Sequence, residues 1–237
     1  MTLYVLPNVF SDEQEPHLLL PEGLSTILLS LTGLIAESER TGRRYLIKLL
    51  KDPLARTLPI YLLNEHSSSQ DRKNLAEKVL SGEVLGLISD AGTPCIADPG
   101  SELVHLLRKR GEKKIIVIPG PCSILLALIS SGLPGQSFSF HGYLPKEKEE
   151  RYRKIRLLEY QSEKENSTQI FIETPYRNEA LLQDLLATLK STTELALVSS
   201  ITFPDENVRL HTVEQWKKST PTVEKTPTIF LFHGGSK

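Results

Sequence analysis

Cysteine, methionine, tryptophan and aromatic residues in general are scarce in this 237-residue chain: two Cys, one Met, one Trp and 6% aromatics. Two cysteines, Cys95 and Cys122, are too few for a disulfide framework. Both lie in glycine- and proline-rich turns, so reduced thiols in a cytosolic protein are expected. Few aromatics leave few platforms on which unpaired bases stack. An excess of either charge is also missing. With 28 Lys+Arg against 29 Asp+Glu the formal net charge is -1, so no global basic field draws in nucleic acid and any RNA contact must come from local patches. No segment reaches the roughly 18 continuous apolar residues of a membrane span, and Met1 to Pro7 lacks the basic lead-in of a secretory signal. A cytoplasmic protein without a membrane partner is the expectation. Also absent are GxGxxG, the P-loop pattern, HExxH and paired CxxC, which removes the common dinucleotide, nucleoside-triphosphate and zinc readings; no metal is expected.

What is present fits a globular protein with a sizeable core: 39% hydrophobic and 24% charged residues. The length suits one large domain or two of about 120 residues. Strand and helix patterns alternate through the first half. Leu3 to Leu6, Gly33 to Ala36, Leu58 to Leu63, Val84 to Ile88 and Lys113 to Ile118 read as strands. Leu24 to Leu31, Thr41 to Lys51, Ser68 to Leu80 and Glu102 to Arg110 read as helices, the last with Asp98 as N-cap and Pro99 at the first helical position. This alternation predicts a parallel, doubly wound sheet. In the second half a helix is expected over Ile124 to Ser130. Strands follow at Phe138 to Leu144, Gln169 to Glu173, Glu194 to Ile201, Val208 to Val213 and Thr228 to Phe232, with helices at Lys146 to Tyr160 and Arg177 to Leu189. Strands that follow one another without a helix predict a mixed α+β sheet, so residues 1–119 and 120–237 form two α/β domains.

The most informative segment is Ser89-Asp90-Ala91-Gly92-Thr93-Pro94-Cys95-Ile96-Ala97-Asp98-Pro99-Gly100-Ser101. It joins an apolar strand to an amphipathic helix, and open α/β sheets bind ligands at such elbows. Its glycines permit close backbone approach, and its short polar side chains can hydrogen-bond a ligand or simply structure the loop. Pro119-Gly120-Pro121-Cys122-Ser123, Thr174-Pro175-Tyr176-Arg177 and Thr226-Pro227-Thr228 repeat the pattern. Amides at helix starts favour anions or polar ligand edges.

These elbows, together with Phe138-Ser139-Phe140-His141-Gly142-Tyr143-Leu144-Pro145 and Ile170 to Arg177, resemble signatures of the tetrapyrrole methylase superfamily, the class III S-adenosylmethionine-dependent methyltransferases. The branch of small-subunit ribosomal RNA ribose 2′-O-methyltransferases is the most similar. The resemblance runs from about Leu3 to Phe232. It implies two α/β domains with the cofactor in the cleft between them, a homodimer, and S-adenosylhomocysteine as product. Carried over residue by residue, Pro7 closes the first strand under the cofactor. Ala91, Gly92 and Thr93 line its methionine part, with Ile96 near by. Cys122 and Ser123 approach it from the second elbow. Ile172 and Glu173 offer backbone, and Ile201, Pro227 and Thr228 flank the adenine. Asp90 holds the cofactor's amino group, stands beside the methyl acceptor, or caps the helix or structures the loop.

The chain also departs from that branch. The loop Leu6-Pro7-Asn8-Val9-Phe10-Ser11 has no glycine where the branch has one. Glu37-Ser38-Glu39-Arg40 stands for an EDTR-like segment, and Ser199-Ser200-Ile201-Thr202-Phe203 for RELTK. The cofactor half of the resemblance is intact, and the RNA half is altered. A hydroxyl acceptor benefits from a general base, for which Asp90, Glu37, Glu65 with His66, and Glu173 are candidates. Glu37, Arg40 and His66 are the expected substrate contacts. Glu39 to Lys51 sums to about +4 by side-chain counting and Lys146 to Arg156 to about +3; each is either an RNA patch or a solvated helix face. The reading is thus a methyltransferase with ribosomal RNA as the first substrate. A small or tetrapyrrole-like acceptor, or a cofactor-binding module without transferase activity, are the alternatives.

Overall fold

The computed structural model describes residues 2–111, 114–219 and 222–235 and divides into two compact units, Met1–Cys122 and Ser123–Lys237. The first contains β1 (Thr2–Val5), α1 (Pro16–Leu19), α2 (Leu24–Leu29), β2 (Gly33–Ala36), α3 (Glu39–Leu49), α4 (Leu54–Thr57), β3 (Ile60–Leu62), α5 (Ser69–Leu80), β4 (Val84–Leu87), α6 (Gly100–Lys109) and β5 (Ile115–Val117). Its five strands are all parallel, in the order β3-β2-β4-β1-β5. Parallel strands are covered on both faces, and the two-residue side-chain period shows how. Leu34 and Ala36 of β2 enter one cluster with Leu28 and Leu46. Ile35 enters the opposite one with Leu75, Val79, Leu103 and Leu107. Each fully buried aliphatic side chain contributes about 1.5–3 kcal/mol.

Helix α5 begins at the expected place because Ser68 and Asp71 form a reciprocal capping box. The α6 cap differs from expectation. Pro99 is the N-cap residue and makes no side-chain cap, while the Asp98 carboxylate accepts from the amides of Gly100 (2.8 Å) and Cys95 (3.2 Å). Asp98 therefore closes the elbow one residue before the N-cap. Lys113, expected to begin β5, lies outside the described residues.

The second unit contains α7 (Ser123–Ser131), β6 (Phe138–Tyr143), α8 (Lys148–Glu165), β7 (Thr168–Glu173), a 3-10 turn (Pro175–Arg177), α9 (Asn178–Thr188), β8 (Glu194–Ser199), β9 (Asn207–Thr212), α10 (Val213–Lys218) and β10 (Thr228–His233). Its sheet is mixed, in the order β6-β7-β10-β8-β9, with β6 and β7 parallel and the other pairs antiparallel. One face carries Phe171, Leu197, Phe230 and Phe232 against Ile155, Leu158, Leu182 and Leu185. Phe171 stacks on Phe230 at 5.9 Å and meets Phe232 edge-on at 5.8 Å. Arg151 bridges α8 to α9, donating Nε to Asp184 Oδ2 at 2.7 Å and Nη1 to the carbonyls of Pro145 and Lys146. Helix α10 was not expected. The Thr212–Gln215 capping box starts it at Val213, the residue at which the sequence pattern placed the last of β9. Both units together bear out the two-sheet α/β fold. Among the described residues no helix is long and apolar enough to cross a membrane.

Candidate functional site

The chain passes from β1 outward to β2 and β3, then returns through β4 to β5 on the opposite side of β1. Strand order reverses there, and open parallel sheets bind ligands just beyond the carboxyl ends at such a switch. Three elbows meet at that point. Asn8 N–H donates to Gly92 O at 2.8 Å and Gly92 N–H to Val9 O at 3.3 Å, pairing the loop after β1 with Gly92 in the elbow after β4. Thr93 Oγ1 donates to Pro121 O at 2.9 Å. Gly120 lies so close to Pro7 that a Cβ there would fall 2.0 Å from Pro7 Cβ. Tyr45 from α3 donates its hydroxyl to Pro7 O at 3.1 Å, and burial pushes that phenol well above its ordinary range. Pro7, Gly92, Thr93 and the Cys122 elbow thus form one hydrogen-bonded cluster.

At its edge Asp90 and Ala91 are exposed. Among the described residues the Asp90 carboxylate has no partner, and neither the Ala91 nor the Thr93 amide donates a hydrogen bond. Ile96 is also exposed. Glu37 follows β2, half-buried, and accepts from the Asp90 amide at 3.0 Å. Its carboxyl sits above the usual range because of burial, with the carboxylates of Asp90, Asp98 and Glu65 acting in the same direction and the Asp90 amide opposing them. Burial, reinforced by Asp98, pushes the Cys95 thiol up to about 11, so this cysteine is an unreactive thiol at neutral pH. A cavity of about 240 Å³ opens beside Asp90, walled by Phe10, Ser11, Thr41, Arg44 and Tyr45.

The other expected substrate residues lie apart from this cluster or on its rim. His66 is exposed, with Nε2 3.5 Å from Glu65 Oε1. Arg40 is exposed and has no partner among the described residues. Its neighbours are engaged: Arg43 donates to Ala55 O at 3.0 Å, Arg44 pairs with Asp12, and Lys48 donates to the carbonyls of Asp12 and Gln14 at 2.6 Å each. Most of the α3 cations therefore tie down the chain around them.

In the second unit, the ends of β7, β10 and β8 bring Glu173, Thr228 and Ser199 into register. Thr228 Oγ1 and Ser199 Oγ are 2.9 Å apart, and Ser200 N–H donates to Pro227 O at 3.0 Å. Ile201 follows Ser200, whose φ of 50 is positive, and precedes Thr202 at φ 69. Glu173 is buried. Its Oε1 accepts from the Thr174 amide at 2.8 Å, and its Oε2 lies 3.1 Å from Arg177 Nη2 without forming an aligned hydrogen bond. Ile172 is half-buried beside it, and Ser123 opens α7. Sequence reasoning passed over Asn8 and Tyr45. Asn after Pro at a strand end is the signal that was available for Asn8.

A family model described as Tetrapyrrole (Corrin/Porphyrin) Methylases matches residues 34–216. Ribosomal RNA small subunit methyltransferase I of Vibrio cholerae serotype O1 is 38% identical over 177 residues, covering 73% of this chain and 60% of that protein. The protein of that name from Pasteurella multocida is 34% identical over 182 residues, covering 76% and 63%. The chain thus spans less than two thirds of the length of these relatives. Among solved structures, diphthine synthase superposes with a TM-score of 0.65 at 12% identity, covering 98% of this chain and 89% of that one. Uroporphyrin-III C-methyl transferase from Thermus thermophilus, complexed with S-adenyl homocysteine, gives 0.56 at 16% identity, covering 98% and 97%. These two likenesses speak to the fold.

Proposed function

Because this chain belongs to the tetrapyrrole (corrin/porphyrin) methylase family, we propose that it is an S-adenosylmethionine-dependent methyltransferase with small-subunit ribosomal RNA as acceptor. The observation that carries this reading is the elbow after β4. It pairs two undonated amides, Ala91 and Thr93, with an unpartnered carboxylate, Asp90, at a topological switch point. The N–H donors suit the carboxylate of the cofactor's methionine part, and the free carboxylate suits an acceptor hydroxyl that must give up its proton. Bound S-adenosylmethionine supplies a sulfonium methyl group for in-line displacement by an acceptor oxygen. Ala91, Gly92 and Thr93 hold the methionine part, and Ile96 and the Cys122–Ser123 turn exclude water from it. Asp90 takes the acceptor hydroxyl's proton as the new bond forms. Ile172, Glu173, Ile201, Pro227 and Thr228 serve the adenine end through backbone and small side chains. Glu37, Arg40 and His66 are the acceptor contacts. The names of the relatives support ribosomal RNA as the substrate class.

The test is transfer of tritiated methyl groups from S-adenosylmethionine to isolated small ribosomal subunits or their naked RNA. Labelled RNA is expected, and Arg40→Glu should remove about one phosphate contact from the salt dependence of RNA binding. A second reading, a cofactor-binding module without transferase activity, is favoured by Ser199 and Ser200. Their hydroxyls are spent on Thr228 and Asp205 where the resembled branch carries charges. Tight S-adenosylhomocysteine binding with no methyl incorporation would select it. A cytoplasmic homodimer completes the proposal. Leu125 and Ile129, exposed one turn apart on α7, support self-association, which light scattering checks.

A further inference from the structure

Two successive peptides in the first unit, those on either side of the Asp90 Cα, are held by side chains. The Asp90 N–H donates to Glu37 Oε1 at 3.0 Å. Its carbonyl accepts from Asn8 Nδ2 at 3.2 Å, and the preceding carbonyl of Ser89 accepts from the same Nδ2 at 3.0 Å. Asn8 is buried, and its Oδ1 is occupied by the Val9 amide at 2.9 Å. Glu37 is anchored in turn, since its own carbonyl accepts from Asn64 Nδ2 at 3.1 Å. The ends of β1, β2, β3 and β4 are thereby stitched to one another. The one polar group at position 90 left unused is the carboxylate, on the lip of the 240 Å³ cavity. The loop that supplies Asn8 contains no glycine between Leu6 and Ser11, so the clamp replaces backbone latitude with a side-chain tether.

We propose that Asn8 and Glu37 are positioning residues that fix the Asp90 peptide so that its carboxylate faces the acceptor in the adjoining cavity. This rests on the proposed role of Asp90 as proton acceptor. Neither residue touches the reacting atoms. A general base misplaced by about 1 Å can cost on the order of 100-fold in rate, whereas of the two amides assigned to the cofactor only that of Ala91 shares a held peptide, the one carrying the Asp90 carbonyl, and that of Thr93 lies two peptides further on. The clamp therefore acts on turnover more than on cofactor affinity.

The experiment measures kcat, KM for the RNA, S-adenosylhomocysteine Kd and melting temperature for the full chain and for Asn8→Ala, Glu37→Ala and Asp90→Asn, each alone, and for Asn8→Ala and Glu37→Ala in the Asp90→Asn background. Loss of about 10- to 100-fold in kcat is expected for each clamp variant, with Kd changed less than about threefold, and neither substitution should lower kcat further once Asp90 is Asn. Unchanged kcat in Asn8→Ala and Glu37→Ala overturns the proposal, as do parallel losses in kcat, Kd and melting temperature, or losses that add fully to that of Asp90→Asn. An unmodified chain that transfers no methyl group overturns the proposed function itself. An active one with indifferent clamp variants overturns the clamp alone.

Discussion

Replacing Gly92 with alanine perturbs the elbow at its tightest point. Gly92 has φ +68, and a Cβ there would sit 2.8 Å from Phe10 Cε1 and 3.2 Å from Pro121 O. The left-handed backbone costs an L-residue about 1 kcal/mol. The contact with Phe10 must then be relieved. The Phe10 ring is only half-buried and can swing, but Pro121 O is held by Thr93 Oγ1 at 2.9 Å. Together with about 1–2 kcal/mol of overpacking, the loss is about 2–3 kcal/mol. For a chain of this size that corresponds to a fall of roughly 5–10 °C in melting temperature. Ligand binding sharpens the test. At about 100 times its Kd, S-adenosylhomocysteine should stabilise the unmodified chain by about 2.7 kcal/mol. Most of that gain should vanish in Gly92→Ala, because the Ala91 and Thr93 amides flank the displaced residue. The assay is thermal unfolding followed by circular dichroism, with and without ligand. A variant melting within about 1 °C of the parent, with the same ligand gain, would refute both the packing and the assignment of this elbow to the cofactor.

In the second unit, Asp184→Ala leaves the buried Arg151 guanidinium without its carboxylate, a loss of about 3–5 kcal/mol, while Arg151→Leu with Asp184→Leu should recover most of it. Urea unfolding followed by Trp216, the single tryptophan and a buried one, reads this, and equal stability of Asp184→Ala and parent would contradict it. Glu37 gives a pH dependence of definite sign. Burial holds its folded pKa above the ordinary glutamate value of about 4.5, so the folded state binds the proton more tightly than the unfolded chain. Relative to Glu37→Gln, the unmodified protein should gain stability as pH falls through the raised value and gain no more below about 4.5. A difference that moves the other way between pH 7 and 4.5 would show that Glu37 is held as a favoured anion.

The parts of the fold that were legible were those specified by local pattern. β2 lies at Gly33–Ala36 as read, because an apolar quartet buried on both faces has no competing solution. Ser68 starts α5 because the cap and its Asp71 partner are three residues apart. The same kind of local signal, Thr212 with Gln215, was present for α10 but was overshadowed by the apolar alternation running into Val213. The clamp was out of reach for a different reason. Asn8 meets its acceptors across 81 and 82 positions and Glu37 its donor across 53, and no periodicity encodes such a pairing. Charge counting failed similarly on α3. It gave the sum correctly but could not tell that Arg43, Arg44 and Lys48 are spent on Ala55, Asp12 and Gln14.

The departures from the ribosomal RNA branch share one structural feature. Ser38 accepts from the Thr41 amide as the N-cap of α3. Ser199 shares a hydrogen bond with Thr228, Ser200 donates to Asp205, and Asn8 donates to Ser89 and Asp90. At each position the side chain is short and its hydrogen-bonding capacity is consumed by the protein itself. At Ser38, Ser199 and Ser200, where the resembled branch carries charged residues, the hydroxyls reach their own backbone and neighbours instead. Under the proposed function, recognition of the acceptor falls to side chains left without a partner among the described residues, such as Asp90 and Arg40. On that proposal the shape of the cavity beside Asp90 and the proton Asp90 takes add to selection beside any contact Arg40 makes with an RNA phosphate.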